Sequence, residues 1–487
     1  MTSEARPSTG SGRPGALEGR RVQFVTGRLA EPALRRVLAE MEPGFAYDVS
    51  VLGITVAALM TTSWIARNLD APPGTDLVLI PGLCEGDPQV VAEKLGVTVK
   101  KGPKDLREIP RYFGQAAAQH DYGAWDIEIV AEINNAPRLS PEALRAAADY
   151  FRASGADMID VGCTPGLAFP ALGDAVRDLV AAGMRVSIDT FDADEIRTAA
   201  AAGAELVLSV NGSNIEVARD LAGTGARVVV VPDLGGALDT LEPSLEKLEQ
   251  WGAAYLIDPI LEPIGFGFMA SLERYAEVRR RYPEAAMLMG IGNLTELTAA
   301  DSTGVNALLV AICQELGVRA VLTTEVIPWA RGAVREIDVA RRLMHYAVTH
   351  HTIPKGVDDR LLTVKDPSLL TFSEEDLRAL QARITDPNFR IFADREGITV
   401  LNNERFVRST DLARLGDLFA ELDVREATHA FYLGRELARA SLAVSLGKTY
   451  RQEGALSWGY LTPPDDEKSE HVRLTQPSEP SRASDEP

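Results

Sequence analysis

Eight short apolar runs between Ile127 and Glu325 each end on, or carry close to their end, a carboxylate or an amide. In order these residues are Asn134 (IEIVAEIN), Asp160 (MIDVG), Asp189 (RVSIDT), Asn211 (LVLSVN), Asp233 (RVVVVPD), Asp258 (YLIDP), Asn293 (AMLMGIGN) and Glu325 (AVLTTE). A carboxylate accepts paired hydrogen bonds from an amidine-like edge, and an amide offers both donors and an acceptor. Buried polar groups must be paired, so such a set gathered at one place calls for a flat heterocycle rich in N–H groups. A phosphate ligand would call for Lys, Arg or glycine-rich nests, and only Arg138 and Arg335 stand out as cations beside a strand end or helix entry. A divalent metal held by Asp160, Asp189 and Asp258 is a third reading. The plain alternative is that these side chains serve turns and helix caps; single members can do both.

The elements that must position them follow from the same pattern. Continuous runs of four to eight residues rich in Val and Ile read as strands buried on both faces. A helix-patterned segment separates each run from the next, which implies parallel pairing. Eight such units predict a closed (β/α)8 barrel with its site at the carboxyl ends of the strands. The expected fold class is α/β: a central (β/α)8 TIM barrel over residues 125–352, with a small domain on either side. The N-terminal one, residues 21–120, reads as a doubly wound α/β domain, and the C-terminal one, residues 358–462, as α+β. Residues 1–20 read as a disordered leader and the acidic, Pro/Ser-rich residues 463–487 as a disordered tail.

In the N-terminal domain, RVQFVTG, YDVSVLG and DLVLIPG read as strands, with helices near Glu31–Glu40, Val56–Leu69 and Pro88–Leu95. Gly27, Gly53 and Gly82 follow strands, but no G-x-G-x-x-G or Walker motif accompanies them, so they read as turn residues. KKGPKDLREIPRYFG reads as the linker into the barrel. His345, His350 and His351 lie at the end of the final barrel helix without converging metal ligands, and read as helix-end residues. Beyond Asp358, RIFADREGITVLNN reads as a hairpin, and DLARLGDLFAEL and THAFYLGRELARASLAVSLGK as amphipathic helices. KTYRQEGALSWGYL reads as a packing segment.

The chain has 487 residues, 46% of them hydrophobic and 25% charged, which fits a soluble globular protein of several domains. Its net charge of −20 argues against nucleic acid or an anionic membrane surface as partner. Cys84, Cys163 and Cys313 are too scattered for a disulfide framework or a Cys-based metal site. A reducing, cytoplasmic location is the expectation, and no run approaches the length needed to cross a bilayer.

GADMIDVGCTPG, VSIDTFDADEIRTAAAAGAELVLSVNG and LIDPILEPIGFGF resemble the pterin-binding barrel shared by dihydropteroate synthases and the methyltetrahydrofolate-dependent corrinoid methyltransferases. The resemblance covers about residues 125–350. The flanking domains make the chain look more like dihydropteroate synthase-related proteins associated with methanopterin-type one-carbon carriers. The resemblance implies that Asp189 lines the pterin pocket, that Asn211 bonds the pterin ring, and that Asp258 binds its amidine edge. It places Asp160 beside the family's glycine turn. It assigns Asn134 to magnesium and pyrophosphate, and it sets Arg335 and Asp338 where the synthases carry R-V-H-D-V, whose arginine contacts the pterin and the anion site.

Departures accompany these matches. Gly265-Phe266-Gly267 is followed by Phe268 where the synthases have lysine, and Gly290-Ile291-Gly292-Asn293 replaces their S-R-K. Asn293 instead resembles the methyltransferase asparagine that bonds the reacting N5 region. The synthase loop T-P-D-S-F is replaced by Ala136-Pro137-Arg138-Leu139-Ser140. The leading expectation is a transferase that condenses a dihydropterin pyrophosphate with an arylamine, with Mg2+ and a homodimeric assembly. The alternatives are methyl transfer from a methylated tetrahydropterin to a corrinoid protein, and a pterin-binding protein without catalysis.

Overall fold

The structure is a computed structural model that describes residues 20–41, 43–104, 106–113, 122–233 and 237–462. The expected leader, residues 1–20, lies outside this range except for its last residue, and the expected tail, 463–487, lies wholly outside it. The chain divides into two compact units after Val357.

The first unit begins with a parallel sheet of β1 (Arg21–Gly27), β2 (Ala46–Leu52), β3 (Leu77–Ile80) and β4 (Thr98–Lys101), ordered β2-β1-β3-β4. The helix Glu31–Met41 covers one face, burying Leu34, Val37 and Leu38 against Val22, Phe24 and Leu79. Ile65, Ala66 and Val91 cover the other face against Val25, Val78 and Ile80. This is the doubly wound arrangement expected, with one strand more. β4 falls across the stretch read as linker because its alternating half-exposed pattern, suited to an edge strand, is too short to register as an apolar run.

Eight strands then form the barrel: β5 (Glu128–Ile133), β6 (Met158–Gly162), β7 (Val186–Asp189), β8 (Leu206–Val210), β9 (Arg227–Val230), β10 (Tyr255–Ile257), β11 (Leu288–Gly290) and β12 (Ala320–Thr323). Each pairs in parallel with its neighbour, and β12 returns to β5. A bridge between Ile257 and Met287 closes β10 onto β11. Val130, Met158, Leu206, Val229, Leu256, Leu288 and Ala320 come from strands all round the ring and form one cluster, so they fill the interior.

Local signals fix the helices between strands. The helix Pro141–Ser154 starts with Ser140 accepting from the Ala143 amide at 3.2 Å, has proline in its first turn, and stops at Gly155 in the left-handed region (φ 110°). The helix Ala193–Ala202 starts with the Asp192 carboxylate accepting from the amides of Asp194 and Glu195. Each such cap stabilises its helix by about 1 kcal/mol.

The second unit contains an antiparallel sheet of β13 (Arg390–Ala393), β14 (Ile398–Leu401) and β15 (Phe406–Ser409). The helix Ala427–Leu446 covers it, burying Leu433, Leu437 and Ala440. β15 adds a strand to the expected hairpin. Tyr450 and Leu456, from the segment read as packing, are buried in this core. No helix among the described residues is long and apolar enough to cross a membrane.

Candidate functional site

Side chains alternate across a strand, so the interior positions Val130, Met158 and Leu256 place Glu132, Asp160 and Asp258 on the interior side two residues later, towards the carboxyl ends. Glu132 and Asp160 are register partners, as are Gly162 and Asp189. The Ser187 hydroxyl donates to Asp160 Oδ1 at 2.6 Å, which turns Ser187, and with it Asp189, to the same side. One oxygen from each of Glu132, Asp160 and Asp189 lies within 4.8 Å of the others. Gly162 leaves room for the group, since a Cβ there would stand 2.6 Å from Glu132 Oε1 and push that carboxyl aside.

Burial dominates the electrostatics of this cluster. It pushes the Glu132 carboxyl up to about 7, with the Asp189 and Glu296 charges adding to the effect. It raises Asp189 to about 6 and holds Asp160 well above the usual carboxylate range, the latter reinforced by Asp189 and Glu132. Three carboxyls this close cannot all ionise cheaply. Asp160 is fully buried, and its Oδ2 has no hydrogen-bond partner among the described residues. The group therefore holds protons near neutrality unless cationic or N–H-bearing matter enters. Hard oxygens at this spacing also suit a divalent cation. Asn134 joins the group by donating to Glu132 Oε1 at 2.9 Å, while its own oxygen accepts from the Thr324 hydroxyl.

Across the ring, Asp258 Oδ1 accepts from the buried Tyr275 hydroxyl at 2.5 Å and from the Ile260 amide at 2.8 Å. Burial raises its carboxyl to about 6, against the lowering effect of those two bonds and of Arg274. A Cβ on Gly290 would sit 3.6 Å from Asn293 Nδ2 and 3.9 Å from Asp258 Oδ2, so these two side chains flank the end of β11. Asn293 is exposed and donates to the Leu261 carbonyl at 3.1 Å. Asn211 Oδ1 accepts from the amide and hydroxyl of Ser213, and Asp233 Oδ1 accepts from the Gly212 amide at 2.8 Å. The turn-capping reading therefore holds for these two alongside any ligand role.

A cavity of about 580 Å³ opens beside β6 and β7, lined by Cys163 to Ala168, Asp189 to Asp192 and Glu195. That is within the usual size of a small-molecule site. Burial and the neighbouring Glu195 carboxylate push the Cys163 thiol up, so it is a protonated wall group and no nucleophile.

Other residues singled out in the sequence lie elsewhere. Glu325 is turned outward, accepting from the Tyr150 hydroxyl at 2.9 Å and from the Val334 amide at 3.0 Å, where it caps the final barrel helix, Ala333–Thr349. Arg335 is exposed in the first turn of that helix, and Arg138 is exposed after β5. Asp338 is not brought to the mouth. It binds Arg341 and Arg342, and Arg341, buried to 1%, reaches the Ile127 carbonyl at 2.8 Å and the Asp157 carboxylate, both at the amino ends of β5 and β6. Asp338 lies about one turn after Arg335, and its carboxylate is taken up by Arg341 and Arg342, of which Arg341 reaches the amino ends of the strands. Glu132 was missed by the sequence reading. Its signal is an acid one place before the end of the strand, in the sequence EIVAEI.

Residues 134–235 match the family model described as Pterin binding enzyme, and residues 20–104 match one described as a Family of unknown function (DUF6513). An uncharacterized protein of Methanocaldococcus jannaschii is 27% identical over an alignment that covers 89% of this chain and 98% of the relative. Among solved structures, the dihydropteroate synthase from Thermus thermophilus is 19% identical, covering 47% of this chain and 94% of its own, with a TM-score of 0.37. The Xanthomonas albilineans dihydropteroate synthase, solved with 7,8-dihydropteroate, is 21% identical, with coverages of 46% and 93% and a TM-score of 0.36. The segment that matches the Pterin binding enzyme model holds Asn134, Asp160, Asp189 and Asn211.

Proposed function

We propose that this barrel, part of which matches the Pterin binding enzyme model, binds a reduced pterin at its mouth and catalyses substitution at the one-carbon group attached to that ring. The observation that carries the reading is the chemistry of the mouth: buried carboxyls with raised pKa values and one orphaned acceptor, Asp160 Oδ2, wait for N–H donors. A pterin supplies them along its amidine edge. Asp258, held by Tyr275, would accept that edge, while Asp189 and Asn211 fix the rest of the ring. The work of these residues is orientation and exclusion of water.

In the synthase-type reaction, a dihydropterin pyrophosphate condenses with an arylamine: the amine nitrogen bonds the exocyclic carbon, pyrophosphate leaves, and the amine loses a proton. Glu132, with a carboxyl near 7, is suited to take up or hold that proton. Asp160, Asp189 and Asn134, beside Glu132, are the residues that would hold Mg2+, which would supply charge neutralisation for the leaving group. Exposed Arg335 and Arg138 would meet the anion.

Two observations favour a second reading, methyl transfer from a methylated tetrahydropterin to a corrinoid partner. Asn293 flanks β11 next to Asp258, and the Glu325 carboxylate already occupies the Val334 amide in the first turn of the helix that an anion would use. Product analysis separates the two. Incubation with dihydropterin pyrophosphate, an arylamine and Mg2+ yields a pteroate-type adduct and pyrophosphate under the first. Incubation with a methylated tetrahydropterin and a reduced corrinoid protein yields methylcorrinoid under the second. Neither product from a protein that binds pterin would leave a binding protein without catalysis.

A further inference from the structure

The N-terminal sheet runs β2-β1-β3-β4, so the order in which successive parallel strands are added reverses between β1 and β3. In an open parallel sheet of this kind, the crevice outside the carboxyl ends at that reversal is where ligands bind. A cavity of about 240 Å³ lies there. Its floor is Thr26 at the end of β1 and Pro81 and Gly82 at the end of β3, and its sides are Ala30, Ala57 and Leu106. Gly82 makes the crevice possible: a Cβ on it would stand 2.4 Å from the carbonyl oxygens of Gly102 and Pro103.

The walls are largely apolar, and among the described residues large apolar side chains at the mouth stay exposed. Leu29 is 54% exposed, Leu83 50% and Ile353 54%. Among the lining residues three polar side chains, Thr26, Lys104 and Thr352, interrupt this surface. The Thr26 hydroxyl, 4% exposed, has only a 3.4 Å contact to the Gly27 carbonyl, longer than an ordinary O–H···O bond. Lys104 stands exposed on the rim.

The cavity is remote from the barrel mouth. Thr352 and Ile353, which line it, follow the helix that leaves the mouth after β12 and passes the amino ends of β5 and β6 at Arg341. Arg36 of the N-terminal domain donates to the His350 carbonyl at this junction.

We propose that this crevice is a second binding site, for a small apolar carboxylate whose ring or branched body fills the cavity and whose anionic end meets Lys104. The volume exceeds the roughly 150 Å³ that holds a benzene ring, so a two-ring body of about ten carbons is the size to test. The inference stands apart from the pterin reading, since it uses none of the same residues.

The test is calorimetric titration of the full chain with 2-naphthoate, 2-naphthylmethanol and 2-naphthylmethylammonium. The expected order of affinity is carboxylate, alcohol, ammonium. Ala30→Trp and, on the facing wall, Ala57→Leu fill the cavity and abolish binding of all three, with circular dichroism showing that each variant is folded. Lys104→Glu weakens the carboxylate about tenfold and leaves the alcohol unchanged. Excess reduced pterin does not displace the probe. No binding of either carboxylate or alcohol, binding untouched by both filling variants, preference for the ammonium, or displacement by pterin would each overturn the proposal.

Discussion

Glu132 and Asp160 sit opposite each other in adjacent parallel strands, with both carboxyls turned into the barrel and Asp189 closing the group from the next strand. Most of the expected behaviour of this protein follows from burying these three acids together.

Stability should depend on pH in a direction opposite to that of salt-bridged proteins. Glu132 has its carboxyl raised to about 7, and Asp189 and Asp258 theirs to about 6. A raised carboxyl binds its proton more tightly in the folded state, so its contribution is full below about pH 4 and is lost as pH rises through 6 to 7. Each unit of displacement corresponds to about 1.4 kcal/mol, and the three are not additive. Urea unfolding of the ligand-free protein is expected to show a lower midpoint at pH 8 than at pH 5. Glu132→Gln should flatten that difference, and Mg2+ should raise the pH 8 midpoint selectively if the acids hold it.

Tyr275 gives a positioning test. Its hydroxyl is buried against Asp258. Tyr275→Phe removes one bond to a charged acceptor, an effect of about 1.5–3 kcal/mol. Pterin affinity should fall by tenfold or more while the fold persists, as read by titration and by circular dichroism. An unchanged affinity would mean that Asp258 is oriented by something else.

Asp338 is expected to matter for stability and not for the ligand. It holds Arg341, whose guanidinium is enclosed by Asp157, backbone carbonyls and the Trp125 ring 4.5 Å away. Asp338→Ala leaves part of a buried charge uncompensated, costing about 3–5 kcal/mol. Pterin affinity of the folded fraction should stay within a factor of two or so of wild type. A large loss of affinity in a stable variant would return Asp338 to the site.

Glu325→Gln should cost about 1 kcal/mol through the weakened cap on Val334. Under the pyrophosphate reading, removing its charge should strengthen binding of anions near Arg335. Titration with pyrophosphate alone reads this.

Much of the architecture was legible because the barrel strands are buried on both faces, which writes a plain apolar run for each. The polar ends of those runs marked the mouth for Asn134, Asp160, Asp189 and Asp258. Glu132 was not legible, because nothing in IEIVAEIN separates it from Glu128 until the register sets it against Asp160. Glu325 read as a ring member because nothing in AVLTTE tells whether the last side chain turns inward or back onto its own helix. Asp338 was assigned to the pocket for a related reason: a short motif around Arg335 does not say which neighbours a side chain one turn along the helix will meet, and Asp338 meets Arg341 and Arg342. The strands β4 and β15, half-exposed throughout, lack the burial that makes a strand visible in sequence.

The central claim is that the carboxyl-lined mouth recognises a pterin. The most direct measurement is calorimetric titration of a reduced pterin into the wild-type chain and into Asp258→Asn and Asp189→Asn, at pH 7 with and without Mg2+. The account predicts saturable binding to wild type and a loss of at least tenfold in each variant, which remain folded. Pterin binding that survives both substitutions, or that is absent from the wild-type protein, would contradict it.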